Sequence, residues 1–517
     1  MAVANIALYI YSAVAAAVLY LVQYVIRDKI RMSKYKLPPL IPGGLPVVGN
    51  TFQVPPTQQG PWAKDLAEKY GEMSAGSHSR SAALPGSSST PRASSRSSRS
   101  AAPRSTARRP PFPMTQDIMS GGGRIVLMPY NNDWRRLRKI MHQILSSRQE
   151  EVYKPYQDLE SRHLCWDYLH NSDKWFSANG RYANSVIMSV VFGTRSDLDN
   201  PDVVELFETI ELFLENQQPG ANIVDGFPGL AKIIPDRLQW WRPKGERIFK
   251  KTTDVYRRAL DRVIRNTANG TQKDCFAMEF LKISQKENFT ETQNLFCLGT
   301  LMEAGSDTSR VSIGQIIAGA ATYPDWVVRA RAELDAVGGH NAERLPGWED
   351  RDKLPYIAAV VKEGFRWRPN TAEIGAPTSL IQDDEYEGYK FPKGTVFTWN
   401  AWAIALSDKE YPQAERFWPE RFLNADLNNP LKGHWAFGPG RRVCVGWKVG
   451  EMNVWIAIAR LLYCFDFTED PNHKIDTMTI PQITHNTAPF HVKVTPRSTA
   501  HAALVERECA EAVTTKY

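Results

Sequence analysis

Hydrophobic positions recur every three to four residues over 131–145, 148–171, 183–192, 201–216 and 247–267, with polar residues on the opposite face of each stretch. That period predicts amphipathic helices. A longer helical run opens at Asn288-Phe-Thr-Glu-Thr-Gln293, where Thr290 and Gln293 have capping-box spacing, and continues through Leu295, Leu298, Leu301 and Met302 to Ala321. A helix of about 30 residues spans roughly 45 Å, enough to run through the middle of a domain. Midway along it, Ala304-Gly-Ser-Asp-Thr-Ser309 sets small and polar residues whose side chains compete for backbone groups. Such local conflict marks a functional position. One stretch alternates instead: residues 386–399 flank Pro392-Lys-Gly394 and predict a β-hairpin turning there. The pattern as a whole predicts a mainly α protein with small β-sheets.

The first 26 residues carry no charge, and 6–26 are nearly all Ala, Val, Leu, Ile and Tyr. Roughly 20 such residues suffice to cross a bilayer, so 1–26 is expected to be a transmembrane anchor. Arg27, Lys29, Arg31, Lys34 and Lys36 follow against a single Asp28, which places the remainder on the cytosolic side. A cleaved secretory signal is the competing reading, but the apolar run is long for one and no basic residue precedes it. Residues 27–50 form a basic, Pro-rich hinge, too rich in proline to be helical after Lys36.

Composition sharpens this outline. With 517 residues, 43% hydrophobic and 23% charged, the chain is excluded from the disordered, collagenous and disulfide-framework classes. Its six cysteines are scattered, without a Cys-x-x-Cys pair, as suits a reducing compartment. The formal charge is +7, and residues 74–109 alone hold 7 Arg and 13 Ser without one acidic residue. Removing them leaves a balanced chain. This tract cannot bury enough apolar surface to order itself, and it interrupts a body whose helix and strand signals resume on both sides. It reads as disordered or as a gene-model error. A genuine Arg/Ser tract would suit RNA, but no RNA-recognition motif accompanies it, which argues against nucleic acid.

Cys444 has the most distinctive setting. Phe437-Gly-Pro-Gly-Arg-Arg-Val-Cys-Val-Gly446 is a Gly-rich, Arg-bearing loop running into a helical stretch at 447–462. Amides and the positive end of that helix favour a thiolate, the metal-binding form of cysteine. Glycines allow the backbone close to a flat macrocycle, and Arg442 can meet an acidic substituent on it. Phe437, Gly440, Arg442, Cys444 and Gly446 resemble the Phe-x-x-Gly-x-Arg-x-Cys-x-Gly haem-binding signature of the cytochromes P-450. Three further stretches fall in that family's order. Glu363-Gly-Phe-Arg366 resembles the Glu-x-x-Arg pair, and Arg421 in Phe417-Trp-Pro-Glu-Arg-Phe422 resembles the residue that completes a Glu/Arg/Arg network behind the haem. Trp134-Arg-Arg-Leu-Arg138 resembles the signature whose Trp134 and Arg138 meet a haem propionate.

The resemblance covers about residues 37–73 and 110–495, within an expected single haem-thiolate domain at 51–495 that precedes a C-terminal tail at 496–517. It looks closest to fungal secondary-metabolism members of the O-methylsterigmatocystin oxidoreductase type. It implies haem b held through Cys444 on its iron, O2 as co-substrate, and NADPH electrons supplied through a separate NADPH-cytochrome P-450 reductase, with cytochrome b5 as an optional second donor. Asp307 and Thr308 would relay protons where a mid-helix Thr loosens the ladder. The implied reaction is hydroxylation or another oxidation of an apolar metabolite, a polyketide, terpenoid or alkaloid, at the endoplasmic reticulum membrane with the body facing the cytosol. Leu301, Ile374, Gly375 and Ala376, with Ile118 and Met119, are candidate pocket walls. Residues 222–241 read either as an apolar loop dipping into the membrane or as core. Arg135, Arg136 and Lys139 form a basic face suited to an acidic redox partner. Two departures stand out: Thr378 occupies a position where relatives often carry His, and residues 74–109 replace the family's first β-strands and B helix. The alternative reading is therefore a catalytically impaired remnant.

Overall fold

The computed structural model describes residues 2–45, 49–71, 108–145, 150–369, 375–480, 484 and 487–516. Residues 74–107 of the Ser/Arg tract and Ile374 lie outside them. The chain divides into two compact units, residues 1–110 with 374–400 and residues 111–373 with 401–517.

The first unit begins with helix α1 (Ala2–Met32), followed by α2 (Gln59–Tyr70). Among the described residues no helix is long and apolar enough to cross a membrane, so the expected anchor is present as a helix but is not supported as a span. Strands β1 (Thr378–Ser379) and β4 (Val396–Phe397) pair antiparallel, as do β2 (Asp384–Tyr386) and β3 (Tyr389–Phe391). The hairpin turn is not at Pro392-Lys-Gly394. It lies at Glu387-Gly388, with φ of 49° and 77°, the double left-handed geometry that matches strand twist in a two-residue turn. Residues 392–394 lead from β3 toward β4, where the Lys393 N–H donates to Asp383 Oδ1 at 2.7 Å. Arg108 and Arg109 also depart from the disorder expected of their tract. The Ser379 N–H donates to the Arg108 carbonyl at 2.8 Å, and Arg109 Nη1 donates to the carbonyls of Ala376 and Pro377 at 2.6 Å each. Carbonyl acceptors make burial of that guanidinium tolerable.

The second unit holds helices α3 (Asn132–Ile144), α4 (Glu150–His170), α5 (Trp175–Phe192), α6 (Pro201–Gln217), α7 (Arg242–Ala268), α8 (Phe276–Glu287), α9 (Glu291–Thr322), α10 (Asp325–Gly338), α11 (Pro355–Trp367), α12 (Trp447–Cys464) and α13 (Thr499–Thr514). Strands β5 (Phe465–Glu469) and β6 (Val492–Pro496) pair antiparallel. The expected capping box opens α9: the Thr290 N–H donates to Gln293 Oε1 at 2.9 Å, and Thr290 Oγ1 accepts from the Gln293 N–H at 3.2 Å. Leu295, Leu298, Leu301 and Met302 pack in one apolar core with α5 to α8, while Val311, Ile313, Ile316 and Ile317 pack in another with α11 and α12. The polar stretch 304–309 thus falls where the helix passes from one core to the other.

Helix α5 starts at Trp175 rather than 183, and the reason is buried polarity. Arg181 Nη1 donates to Glu160 at 2.6 Å and Nε to Asp167 at 2.7 Å, while the Tyr168 hydroxyl donates to Asn179 Oδ1 at 2.7 Å. A satisfied charge network occupies core positions where an apolar residue would have carried the periodic signal. Residues 222–241 divide between the two readings: Val224 and Trp241 are buried, whereas Ile233, Leu238 and Trp240 are exposed.

Candidate active site

The loop before α12 is folded around its glycines. Gly438 and Gly440 have φ of 70° and 69°, and a single turn over Gly440–Arg442 follows. The Cys444 N–H donates to the Phe437 carbonyl at 2.8 Å, closing the loop so that the sulfur comes just before Gly446 and α12. Burial pushes the Cys444 thiol up, while the Gly446 amide and the Arg138 charge pull against it. Cys444 is nevertheless solvent-accessible.

Trp134, Arg138 and Arg442 are brought together beside this loop. The Arg442 and Arg138 guanidinium carbons lie 4.3 and 5.2 Å from the Trp134 ring centre. Arg442 donates to the Met128 carbonyl at 2.8 Å, and Arg138 donates to the Val443 carbonyl. Asn131 caps α3 by accepting the Trp134 N–H at 2.9 Å, which fixes where Trp134 and Arg138 emerge. Burial holds Arg138 below its ordinary range. Phe437 packs against Phe365, with ring centres 5.2 Å apart. A cysteine sulfur with a directed amide, two half-buried guanidinium groups for acidic substituents and glycines that keep side chains away fit a haem. Cys444 would ligate its iron, and Arg138, Arg442 and Trp134 would hold its propionates.

Along α9 the expected loosening at Thr308 is absent, because the helix is continuous from Glu291 to Thr322. Its hydroxyls bond back into the ladder: Thr308 to the Ala304 carbonyl at 2.8 Å, Ser306 to Met302 at 2.6 Å and Ser312 to Thr308 at 2.9 Å. What the structure has instead is an accessible face. Ala304 is exposed and Thr308 half-buried, although α9 is otherwise largely buried around them. Asp307 turns elsewhere and pairs with Arg310 at 2.5 Å, whose guanidinium lies 4.3 Å from the Phe207 ring centre and 4.8 Å from that of Phe176. Thr308 and Asp307 are therefore neighbours in sequence with separate environments.

Glu363, Arg366 and Arg421 form the expected network. Arg366 grips Glu363 with two bonds, at 2.7 and 2.8 Å, and also donates to the carbonyls of Ala405 and Ala414 at 2.5 and 2.9 Å. Arg421 lies 3.2 Å from Glu363, which further accepts the Trp418 N–H at 2.7 Å. Glu363 and Arg366 are fully buried, so the cluster ties α11 to residues 405–421 and touches no reacting group.

Other candidate residues are placed less directly. Leu301 is buried in the apolar core and Met119 in a smaller one. Gly375 and Ala376 belong to the first unit. A side chain on Gly375 would strike Trp399, and Ala376 supplies a carbonyl to Arg109. Thr378 pairs with Phe397 in β1 and β4. Sequence reading missed one buried pair: Arg124 donates to both Glu303 carboxylate oxygens and to Ser120 Oγ, with its guanidinium 3.7 Å from the Phe213 ring centre. Burial works against the Arg124 charge, but Glu303 together with Tyr256 more than offsets it and holds the guanidinium above its ordinary range. Glu303 immediately precedes Ala304, so the accessible face of α9 is bordered by a charged anchor. Its only sequence signal is an acid in an apolar helical run.

A continuous helix with an accessible small-residue face, a ligating cysteine at a helix start and a buried Glu/Arg/Arg network define a haem-thiolate oxidoreductase. Consistent with this, the sequence model of the cytochrome P-450 family matches residues 38–494, and the chain belongs to that family. It is 33% identical over 423 residues to the cytochrome P-450 monooxygenase verL of Clonostachys rogersoniana, covering 78% of this chain and 77% of that protein. It is 32% identical over 505 residues to the cytochrome P-450 monooxygenase yanC of Aspergillus niger, covering 92% of each. The protein is thus a monooxygenase that uses haem iron and O2. Nothing in these comparisons supports the impaired-remnant reading.

Proposed function

We propose that this monooxygenase hydroxylates or otherwise oxidises an apolar secondary metabolite, a polyketide, terpenoid or alkaloid, in a fungal biosynthetic pathway. The observation that carries the reading is the accessible Ala304 and Thr308 face of α9 in a unit that also presents Cys444 from its Gly-rich loop. Haem, when bound, supplies the oxygen chemistry. The chain's own part is to hold it through Cys444, Arg138, Arg442 and Trp134, to offer the Thr308 hydroxyl as a proton donor, and to line the approach with apolar surface. Once its pair with Arg310 opens, the Asp307 carboxylate can take up a proton from water and pass it on as a relay.

Electrons come from NADPH through a separate cytochrome P-450 reductase, with cytochrome b5 as an optional second donor. Arg135 and Lys139 are exposed on α3 and suit an acidic partner, whereas Arg136 is engaged with Glu287 at 2.8 Å. Attachment to the endoplasmic reticulum membrane with the body on the cytosolic side belongs to the same proposal. It is supported by the uncharged run 1–26, the basic residues after it, and exposed Ile233, Leu238 and Trp240. Deleting the gene and identifying the metabolite that accumulates tests the proposal. An apolar precursor lacking one oxidation supports it, and an unchanged metabolite profile under producing conditions contradicts it.

A further inference from the structure

Away from the haem-binding loop, Asp470, His473 and His491 bring one carboxylate oxygen and two imidazole nitrogens within 4.8 Å of one another. We propose that these three residues form a binding site for a divalent transition-metal cation of the zinc class.

The backbone holds the three donors in place. Asp470 directly follows β5 and His491 directly precedes β6, and the Asp470 N–H donates to the His491 carbonyl at 3.3 Å. A tight turn returns His473 to the same spot: its N–H donates to the Asp470 carbonyl at 3.1 Å, and the Asn472 N–H donates to Asp470 Oδ1 at 2.9 Å. The far side of the turn is fastened to β5, where Glu469 accepts from Lys474 Nζ and from the Ile475 N–H, each at 3.1 Å. That pairing also offsets the lysine charge beside the site.

The donor geometry suits a metal. His473 Nδ1 lies 2.8 Å from Asp470 Oδ2, and the two imidazole centres are 4.5 Å apart at 32°. Ligand atoms bound at about 2.0–2.2 Å around one cation stand roughly 3–3.5 Å from each other. Small side-chain rotations therefore exchange the shared hydrogen for a cation. Two imidazoles and a carboxylate favour zinc, nickel or copper over calcium or magnesium, which take oxygen shells. Both rings are exposed to solvent, and a cavity of about 200 Å³ lined by His473, His491, Asp476 and Phe490 leaves room for water to complete the shell.

Such a cation would fasten the turn that leads from β5 into residues 474–480, where the Asp476 carbonyl accepts from Arg368 at 3.0 Å.

Calorimetric titration of the untagged, full-length, haem-loaded protein with Zn²⁺ tests this. The expected result is one site whose affinity falls at least about tenfold in the double variant H473A/H491A and also falls in D470A. The control double variant H170A/H340A, whose histidines each face one carboxylate at 3.1 and 3.6 Å, should titrate like the unmodified protein. Equal Zn²⁺ isotherms for H473A/H491A and the unmodified protein, with the haem spectrum unchanged in both, would overturn the proposal. Absence of Zn²⁺ binding to the unmodified protein would overturn it as well. Electron paramagnetic resonance with Cu²⁺ gives an independent readout, expected to show coupling to two imidazole nitrogens that H473A/H491A abolishes.

Discussion

At Glu363 a single carboxylate carries two guanidinium groups and a backbone amide, with Glu363 and Arg366 themselves out of water. Replacing it by Gln leaves Arg366 buried with only carbonyl partners. The expected cost is about 3–5 kcal/mol, read as a lower urea midpoint at unchanged slope; a midpoint within error of the unmodified protein would contradict the buried network. Under the proposed function, Thr308 stands at the other extreme and bears on chemistry alone. The isosteric T308V keeps the helix but removes the hydroxyl, so turnover should fall about a hundredfold at unchanged stability, with T308S recovering most of it. Cys444, Arg442 and Phe437 were legible because one contiguous loop carries them. Arg124 and Glu303 were not, since a residue's partner 179 positions away leaves no local trace.

Helix α9 shows what element-scale reading captures and what it loses. Its start was legible because a cap is a local sequence event: Thr290 and Gln293 sit three apart. T290A should therefore cost about 1 kcal/mol in denaturant unfolding. Its neighbours were not legible, because close approach between helices depends on the partner. Gly364 of α11 is such a place: a methyl group there would meet Ile316 of α9 at 2.2 Å. G364A gains about 1 kcal/mol of helix propensity but suffers overpacking of about 1–3 kcal/mol. Net destabilisation by thermal unfolding is expected, and stabilisation would contradict the packing of α11 on α9. The early start of α5 and the Glu387-Gly388 turn escaped for related reasons. Buried Arg181 breaks the apolar period, and a glutamate at positive φ is an unusual turn residue.

Across the whole molecule, class was readable because four separated motifs fall in one order, whereas the division of the chain into two units lies beyond any single motif. Stability of the molecule also has a pH signature. Burial, with nearby Arg181 and Arg195, pushes His163 down to about 2, and burial, with Lys362, pushes His434 down to about 3. Both are neutral when folded and take up protons near pH 6.5 only when unfolded. The unfolded chain thus binds more protons below pH 6.5, and stability falls as pH drops toward the folded values, by up to about 1.4 kcal/mol per pH unit for each histidine. Urea midpoints between pH 7 and 4.5 measure this, and H434N should flatten the slope.

The most direct test of the central claim, that Cys444 in this chain ligates haem iron as a thiolate, is the absorption spectrum of the reduced, CO-bound protein, recorded for the unmodified chain and for C444S. The expected result is a Soret band shifted to the red in the unmodified protein and absent from C444S. Well-expressed, folded and haem-loaded protein without that shift, or with the same band in C444S, would contradict it.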